Sequence, residues 1–89
     1  MKNKEFTIYN EMYTVLRGCI SNDRLSLESY VYGEDYDSEK HYDFNRYETL
    51  KLFNKISFDD FIKLCQDKRL IGLEEFLKEN NIYYNSFTI

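Results

Sequence analysis

The feature that most constrains the fold is the alternation of apolar and polar residues from Met12 to Tyr32, centred on Asn22-Asp23. Asparagine and aspartate tolerate the left-handed backbone that a two-residue hairpin turn needs. With this pair as the turn, Ser21 lies opposite Arg24 and Arg17 lies opposite Glu28. The sequence therefore predicts two antiparallel strands.

This register sorts the side chains of the hairpin into two faces. The mostly apolar inner face consists of Thr14, Leu16, Gly18, Ile20, Leu25, Leu27, Ser29 and Val31. The other face consists of Tyr13, Val15, Arg17, Cys19, Ser26, Glu28, Tyr30 and Tyr32. Because a shift of one residue would exchange the two faces, the pattern predicts a single register.

A third strand is predicted after a loop from Gly33 to Glu39. Residues 41–45, HYDFN, alternate so that Tyr42 and Phe44 point to the core, whereas His41 and Asp43 point outward. Residues 6–9 are predicted to form a short further strand or an extension of the first one. The final segment, IYYNSFTI, alternates to the last residue, and we expect it to pair beside the first strand.

Helix signals fill the chain between these strands. Asn45 with Glu48 and Ser57 with Asp60 each match a capping box, which predicts helix starts at residues 46 and 58. The predicted buried side chains are Tyr47, Leu50 and Phe53 in the first helix, which ends near Asn54, then Phe58, Phe61, Ile62 and Cys65 in the second, and Leu73, Phe76 and Leu77 in a third helix over residues 72–80.

The predicted fold class is α+β, with an antiparallel sheet of about four strands and two or three helices packed on one face. An 89-residue chain is too short for two independent cores, so residues 1–89 are expected to form a single domain. Because no window resembles a signal peptide or a membrane span, we expect a cytoplasmic location. The absence of alanine, proline and tryptophan suggests an AT-rich bacterial or phage genome.

The sequence contains no recognisable catalytic motif. The single histidine, His41, is expected on the outward side of a strand, and neither Cys19 nor Cys65 has a histidine nearby in sequence. We therefore predict that the protein is not an enzyme. Both thiols are interpreted as reduced core cysteines, in preference to a disulfide or metal ligands.

No cofactor or metal is expected. Asp35, Asp37 and Glu39 have the spacing of the first ligands of a calcium loop. However, Lys40 and Arg46 occupy the sixth and twelfth positions, where such a loop requires glycine and a bidentate glutamate. The glycines are scattered, so the sequence predicts no phosphate-binding loop either.

The charge distribution favours a protein partner. The net charge of −4 resides in residues 1–45, whereas residues 46–89 are neutral. Because nucleic-acid binders usually present a basic face, we expect neither nucleic acid nor membrane as a partner, and favour a basic protein surface. The predicted partner-binding residues are Tyr13, Tyr30, Tyr32, Asp35, Asp37, Glu39 and Asp43.

The leading hypothesis is a small acidic interaction module without catalytic activity, such as an inhibitor or immunity-type protein. One alternative is a homodimer that buries the tyrosine face or an exposed strand edge, and another is an accessory module for a neighbouring gene product. The sequence is equally compatible with a sheet face that is exposed to solvent and has no binding role, next to a charged loop that keeps the protein soluble.

Overall fold

The computed structural model describes residues 1–33 and 37–89, and these form an α+β fold with a five-stranded antiparallel sheet and two helices. The elements are β1 (Lys4–Asn10), β2 (Thr14–Ser21), β3 (Arg24–Tyr32), β4 (Asp37–Asp43), α1 (Arg46–Lys55), α2 (Phe58–Glu79) and β5 (Asn85–Thr88). The strands are arranged in the order in which they occur in the chain, so the sheet is a meander whose last strand follows the helices.

The predicted β2–β3 register is confirmed. Ser21 pairs with Arg24 and Arg17 with Glu28, and the backbone N–H of Tyr32 donates to the Tyr13 carbonyl at 2.8 Å. The turn residues Asn22 and Asp23 have φ angles of 53° and 62°. Those values explain why two residues that tolerate the left-handed region occupy this turn.

The first strand, β1, is separate and slightly longer than the predicted segment. It pairs with β2 and contains an irregularity between Thr7 and Tyr9, where Ile8 turns into the core. Phe6 lies opposite Gly18, and a Cβ atom added at Gly18 would lie only 2.4 Å from the Phe6 ring. The glycine therefore makes room for an aromatic ring on the inner face.

The predicted position of the C-terminal strand was wrong, because β5 pairs with β4 and not with β1. The path of α2 explains the difference. Near its start Phe58 packs edge-on against Phe6 of β1, whereas further along Glu74 accepts a hydrogen bond from Tyr42 of β4. Since α2 crosses the sheet from the β1 side to the β4 side, the chain emerges next to β4.

Two boundaries in the structure differ from the predicted ones. Strand β4 begins at Asp37, so Glu39 lies within a strand and not in the predicted loop. The predicted second and third helices form one segment, α2, that is interrupted at Arg69, where φ is 61° and ψ is −162°. Both predicted apolar stripes are nevertheless present, because Phe61, Cys65, Leu73 and Leu77 of α2 are fully buried.

Helix α1 buries a different side from the predicted one. Tyr47 is 70% exposed and Leu50 is 46% exposed, whereas Glu48, Thr49 and Leu52 are buried. Polar anchors determine this orientation. The Thr49 hydroxyl accepts a hydrogen bond from the Leu25 N–H at 3.0 Å, and the Glu48 carboxylate accepts one from the Tyr83 N–H at 3.3 Å. Both predicted caps, Asn45 and Ser57, are confirmed.

Both helices contribute to one core on the inner face of the sheet. The core side chains include Leu16, Ile20, Leu25, Leu27 and Tyr42 from the strands and Leu52, Phe61, Cys65, Leu73 and Leu77 from the helices. The opposite side of the sheet is not covered by any element in the described part of the chain. Neither helix combines the length and apolar character that crossing a membrane requires, for the residues described.

Candidate protein-binding face

The uncovered side of the sheet, called the outer face below, is a grid of cross-strand neighbours. One row runs Thr7, Arg17, Glu28, His41 and Phe87 across the five strands, and the next runs Glu5, Cys19, Ser26, Asp43 and Asn85. On the other side of the first row lie Val15, Tyr30 and Glu39, followed by Tyr13, Tyr32 and Asp37. The sheet hydrogen bonds fix the spacing of all these side chains.

Tyr30 and Tyr32 form a stacked tyrosine cluster on the outer face next to Gly33, and the Tyr13 carbonyl accepts a hydrogen bond from the Tyr32 N–H beside them. The rings of Tyr30 and Tyr32 stack with centroids 6.4 Å apart and an interplanar angle of 7°. Tyr13 and Tyr32 are 61% and 45% exposed, although each is anchored through its backbone in the sheet region. The cluster therefore presents aromatic surface to solvent from a rigid support.

Tyr30 is held by a small polar network. Its hydroxyl donates to Glu28 Oε2 at 2.8 Å, and the Arg17 guanidinium lies 5.1 Å from its ring centroid. The hydrogen bond to Glu28 raises the pKa of Tyr30 above that of a free tyrosine, because it stabilises the protonated hydroxyl. Tyr30 thus presents its ring in one orientation, which is an advantage for a contact surface.

Carboxylates border the tyrosines along β4. Asp37 lies opposite Tyr32, and Glu39 lies opposite Tyr30. Asp43, in the same strand, is exposed. With Glu5 and Glu28 these residues place five carboxylates on the outer face, and Arg17 is the one guanidinium among the grid residues named above. The face is therefore acidic, which matches the location of the net charge in the sequence.

His41 lies within the outer face, in the row between Glu28 and Phe87. Its ring stacks on Phe87 with centroids 4.8 Å apart, and Nε2 contacts the Glu39 carboxylate. Cys65 lies in the core, on the other side of the sheet. The contacts of His41 are therefore those of a packed surface side chain, and they do not include a thiol nucleophile.

The outer face also contains a depression. It has a volume of about 480 Å³ and lies between β1, β2 and β3, where Glu5, Arg17 and Glu28 are among the residues lining it. Sequence reasoning did not include Glu5 in the site, because the separate strand β1 was not firmly predicted. The pairing of Glu5 with Cys19 brings this carboxylate onto the same face.

Six of the seven predicted binding residues lie together on the outer face: Tyr13, Tyr30, Tyr32, Asp37, Glu39 and Asp43. Asp35 lies outside the described residues. Sequence reasoning missed Phe87, since the strand that carries it was expected at the other edge of the sheet. The binding role of the six residues stays a prediction.

The two cysteines differ. Cys65 is fully buried, and burial raises the pKa of its thiol to about 12. Cys19 is only half-buried and lies on the outer face, so its predicted place in the core was wrong. Both are free thiols, and residues 1–33 and 37–89 contain no group of three potential ligands placed to hold a metal ion.

A second group of exposed tyrosines lies on the helix side and provides a comparison. Tyr47 and Tyr83 are each 70% exposed. Lys51 extends between them, with its ammonium 6.0 Å from the Tyr47 ring and 5.8 Å from the Tyr83 ring. This patch therefore combines its tyrosines with a cation, whereas the outer face combines its tyrosines mainly with carboxylates.

Comparison of the chain with protein-family models, with curated proteins and with solved structures finds no significant match.

Proposed function

We propose that this protein is an interaction module without catalytic activity, which uses its outer face to bind a basic surface on a larger protein, in the manner of an inhibitor or immunity-type protein. The observation that carries the proposal is the juxtaposition of the stacked rings of Tyr30 and Tyr32 with the carboxylates of Asp37 and Glu39 on the uncovered face of the sheet, where Tyr32 is 45% exposed.

The tyrosines supply the contact area of the proposed interface. A tyrosine ring buries a large apolar surface on binding, loses few rotamers and keeps a hydroxyl for hydrogen bonding, and tyrosine is enriched among the residues that dominate binding energy. Because Tyr30 and Tyr32 already stack on each other, the cluster is ordered before it meets a partner. Less conformational entropy is then lost on association.

The carboxylates supply charge complementarity. Asp37, Glu39 and Asp43 lie on one side of a single strand, so they can meet lysine or arginine side chains spaced at about 7 Å and about 14 Å on a partner. The same charges repel nucleic acid phosphates, which supports a protein partner. Exposed charge pairs contribute mainly to association rate and selectivity, so we expect the tyrosines to dominate the affinity.

The experiment is affinity capture from the native organism with two matched variants. The test variant carries Tyr13→Ser, Tyr32→Ser, Asp37→Asn and Asp43→Asn, all at exposed positions of the outer face. We expect it to lose the partner that the unaltered protein retains, with affinity reduced at least about tenfold for each contact tyrosine.

The control variant carries Tyr47→Ser, Tyr83→Ser, Glu75→Gln and Glu79→Gln on the helix side, and these positions are also exposed. It removes the same number of tyrosines and the same charge, so it should retain the partner. Circular dichroism must show that both variants stay folded. If the test variant binds as well as the control, the outer face is not the interface and the proposal fails.

A further inference from the structure

The two edges of the sheet are protected to very different extents. At the β1 edge, the Gln66 side chain donates to the Ile8 carbonyl at 2.9 Å, and the strand has an irregular register at this point. The strand also carries Lys4 and Glu5. A bulge, a covering side chain and charges are the usual ways in which proteins prevent an edge strand from pairing with another chain.

The β5 edge has no bulge, covering side chain or charged residue among the described residues, and its one protective feature is its length of four residues. All four residues of β5 are exposed, and β5 is the last strand of the sheet. Residues 80–89, NNIYYNSFTI, contain no charged side chain, and this is the longest uncharged stretch of the sequence. Phe87 is 48% exposed on the outer face beside this edge.

The backbone groups available at this edge follow from the β4–β5 register. The Ile89 N–H donates to the Glu39 carbonyl, and Phe87 lies opposite His41. Because residues in an antiparallel pair alternate in the direction of their hydrogen bonds, residues 85, 87 and 89 bond towards β4. The N–H and C=O groups of Ser86 and Thr88 therefore point away from the sheet.

We propose that β5 pairs with β5 of a second copy of this chain, antiparallel and across a two-fold axis, to form a continuous ten-stranded sheet. The register that uses all the free groups places Ser86 opposite Thr88 of the second copy. Phe87 then lies opposite Phe87 of that copy, as a pair without direct backbone hydrogen bonds, whose Cα atoms are about 4.5 Å apart.

The symmetry of the edge favours a second copy as the occupant, because the free groups of Ser86 and Thr88 lie at equal distances on either side of Phe87. Two copies with a net charge of −4 repel each other, and the outer face in particular would bring like charges together. The β5 edge brings no charged side chains together, since residues 80–89 contain none. Phe87 belongs to the outer face as well, but this contact depends on the backbone groups of Ser86 and Thr88 at the sheet edge, which the proposed function does not use, so either proposal can fail without the other.

The first test is the oligomeric state of two variants, measured by sedimentation velocity from micromolar to millimolar concentration. Ser86→Pro removes an N–H that β4 does not use, so the monomer should keep its fold while the dimer is lost. Ser86→Ala keeps the N–H and should dimerise like the unaltered protein. Circular dichroism and thermal unfolding check that both variants fold.

The second test identifies the register by disulfide trapping. In a Cys19→Ser background, Phe87→Cys places two thiols across the two-fold axis within the Cα distance that a disulfide needs, about 4.4–6.8 Å. Asn85→Cys, which would lie opposite Ile89 of the other copy, is the control. We expect mild oxidation to produce a covalent dimer from the Phe87→Cys protein and much less from the control.

Three results would overturn the proposal. The first is that the unaltered protein stays monomeric at every concentration. The second is that Ser86→Pro dimerises as strongly as Ser86→Ala, which would place the contact elsewhere. The third is that both cysteine variants cross-link equally, which would show random collision. If β5 instead binds an extended segment of another protein, the unaltered chain would be monomeric alone, and the self-pairing proposal would be wrong.

Discussion

The hydroxyl of Thr49 connects α1 to β3, and its removal should destabilise the protein in a way that side-chain volume cannot explain. The side chain is fully buried, accepts a hydrogen bond from the Leu25 N–H at 3.0 Å and donates to the Asn45 carbonyl at 2.8 Å. Thr49→Val keeps the shape and makes the side chain more apolar. It leaves the Leu25 N–H, inside the core, without its partner.

The size of the effect follows from these bonds. The Asn45 carbonyl still accepts from the Thr49 backbone N–H at 2.9 Å, so the main penalty is the orphaned Leu25 donor. A buried donor without a partner costs about 1–3 kcal/mol. For a domain of this size each 1 kcal/mol lowers the melting temperature by roughly 4–8 °C, so a loss of about 2 kcal/mol corresponds to a decrease of roughly 8–16 °C.

Thermal and urea unfolding followed by circular dichroism measure this effect, and Thr49→Ser is the control. Serine keeps the hydroxyl and loses one methyl group, which should reduce the free energy of unfolding by about 0.8 kcal/mol. We therefore expect valine to be more destabilising than serine at this position. The opposite order would refute the explanation of how α1 is oriented on the sheet.

Three further predictions concern packing, pH and thiol reactivity. Gly18→Ala should reduce the free energy of unfolding by about 1–3 kcal/mol in urea titrations, because the added methyl overlaps the aromatic ring packed over this glycine. The Tyr42 hydroxyl donates to Glu74 and thereby holds the pKa of that carboxyl below its usual range. This contribution to stability is complete above the pKa of an unfolded glutamate, about 4.3, and is lost as the pH falls through the lower pKa of the folded protein. The difference in stability between the unaltered protein and Tyr42→Phe should therefore shrink on acidification. A difference that stays constant with pH would contradict this. A thiol reagent should modify the partly exposed Cys19 in the folded protein and should reach the buried Cys65 only on unfolding. Equal rates of modification at the two cysteines of the folded protein, measured by mass spectrometry, would contradict this arrangement of the core.

Local signals in the sequence were sufficient for much of the fold. The alternation on both sides of Asn22-Asp23 determines the β2–β3 register, because each side chain must lie on one face or the other. The capping residues Asn45 and Ser57 identify the helix starts, since their side chains bond to backbone groups three residues away. These features depend on neighbours in sequence or on a single hairpin.

Features that depend on distant contacts were not predictable in the same way. The place of β5 follows from the diagonal path of α2, and the orientation of α1 follows from bonds that Thr49 and Glu48 make to other elements. The interruption of α2 at Arg69 lies close to the break that the sequence predicts before a third helix at residue 72, although the positive φ of Arg69 itself was not predicted. For the candidate site, alternation was enough to place six residues on one face. The position of Phe87 beside them could not be predicted, because it depends on the pairing of β5 with β4.

The central claim is that the outer face is the part of this protein that meets its partner. Hydroxyl-radical footprinting of the captured complex tests it most directly, because Tyr13 and Tyr32 on the outer face and Tyr47 and Tyr83 on the helix side are all exposed in the free chain. The account predicts that the partner protects Tyr13 and Tyr32 from oxidation and leaves Tyr47 and Tyr83 unchanged. Protection of Tyr47 and Tyr83, with Tyr13 and Tyr32 as reactive as in the free protein, would contradict it.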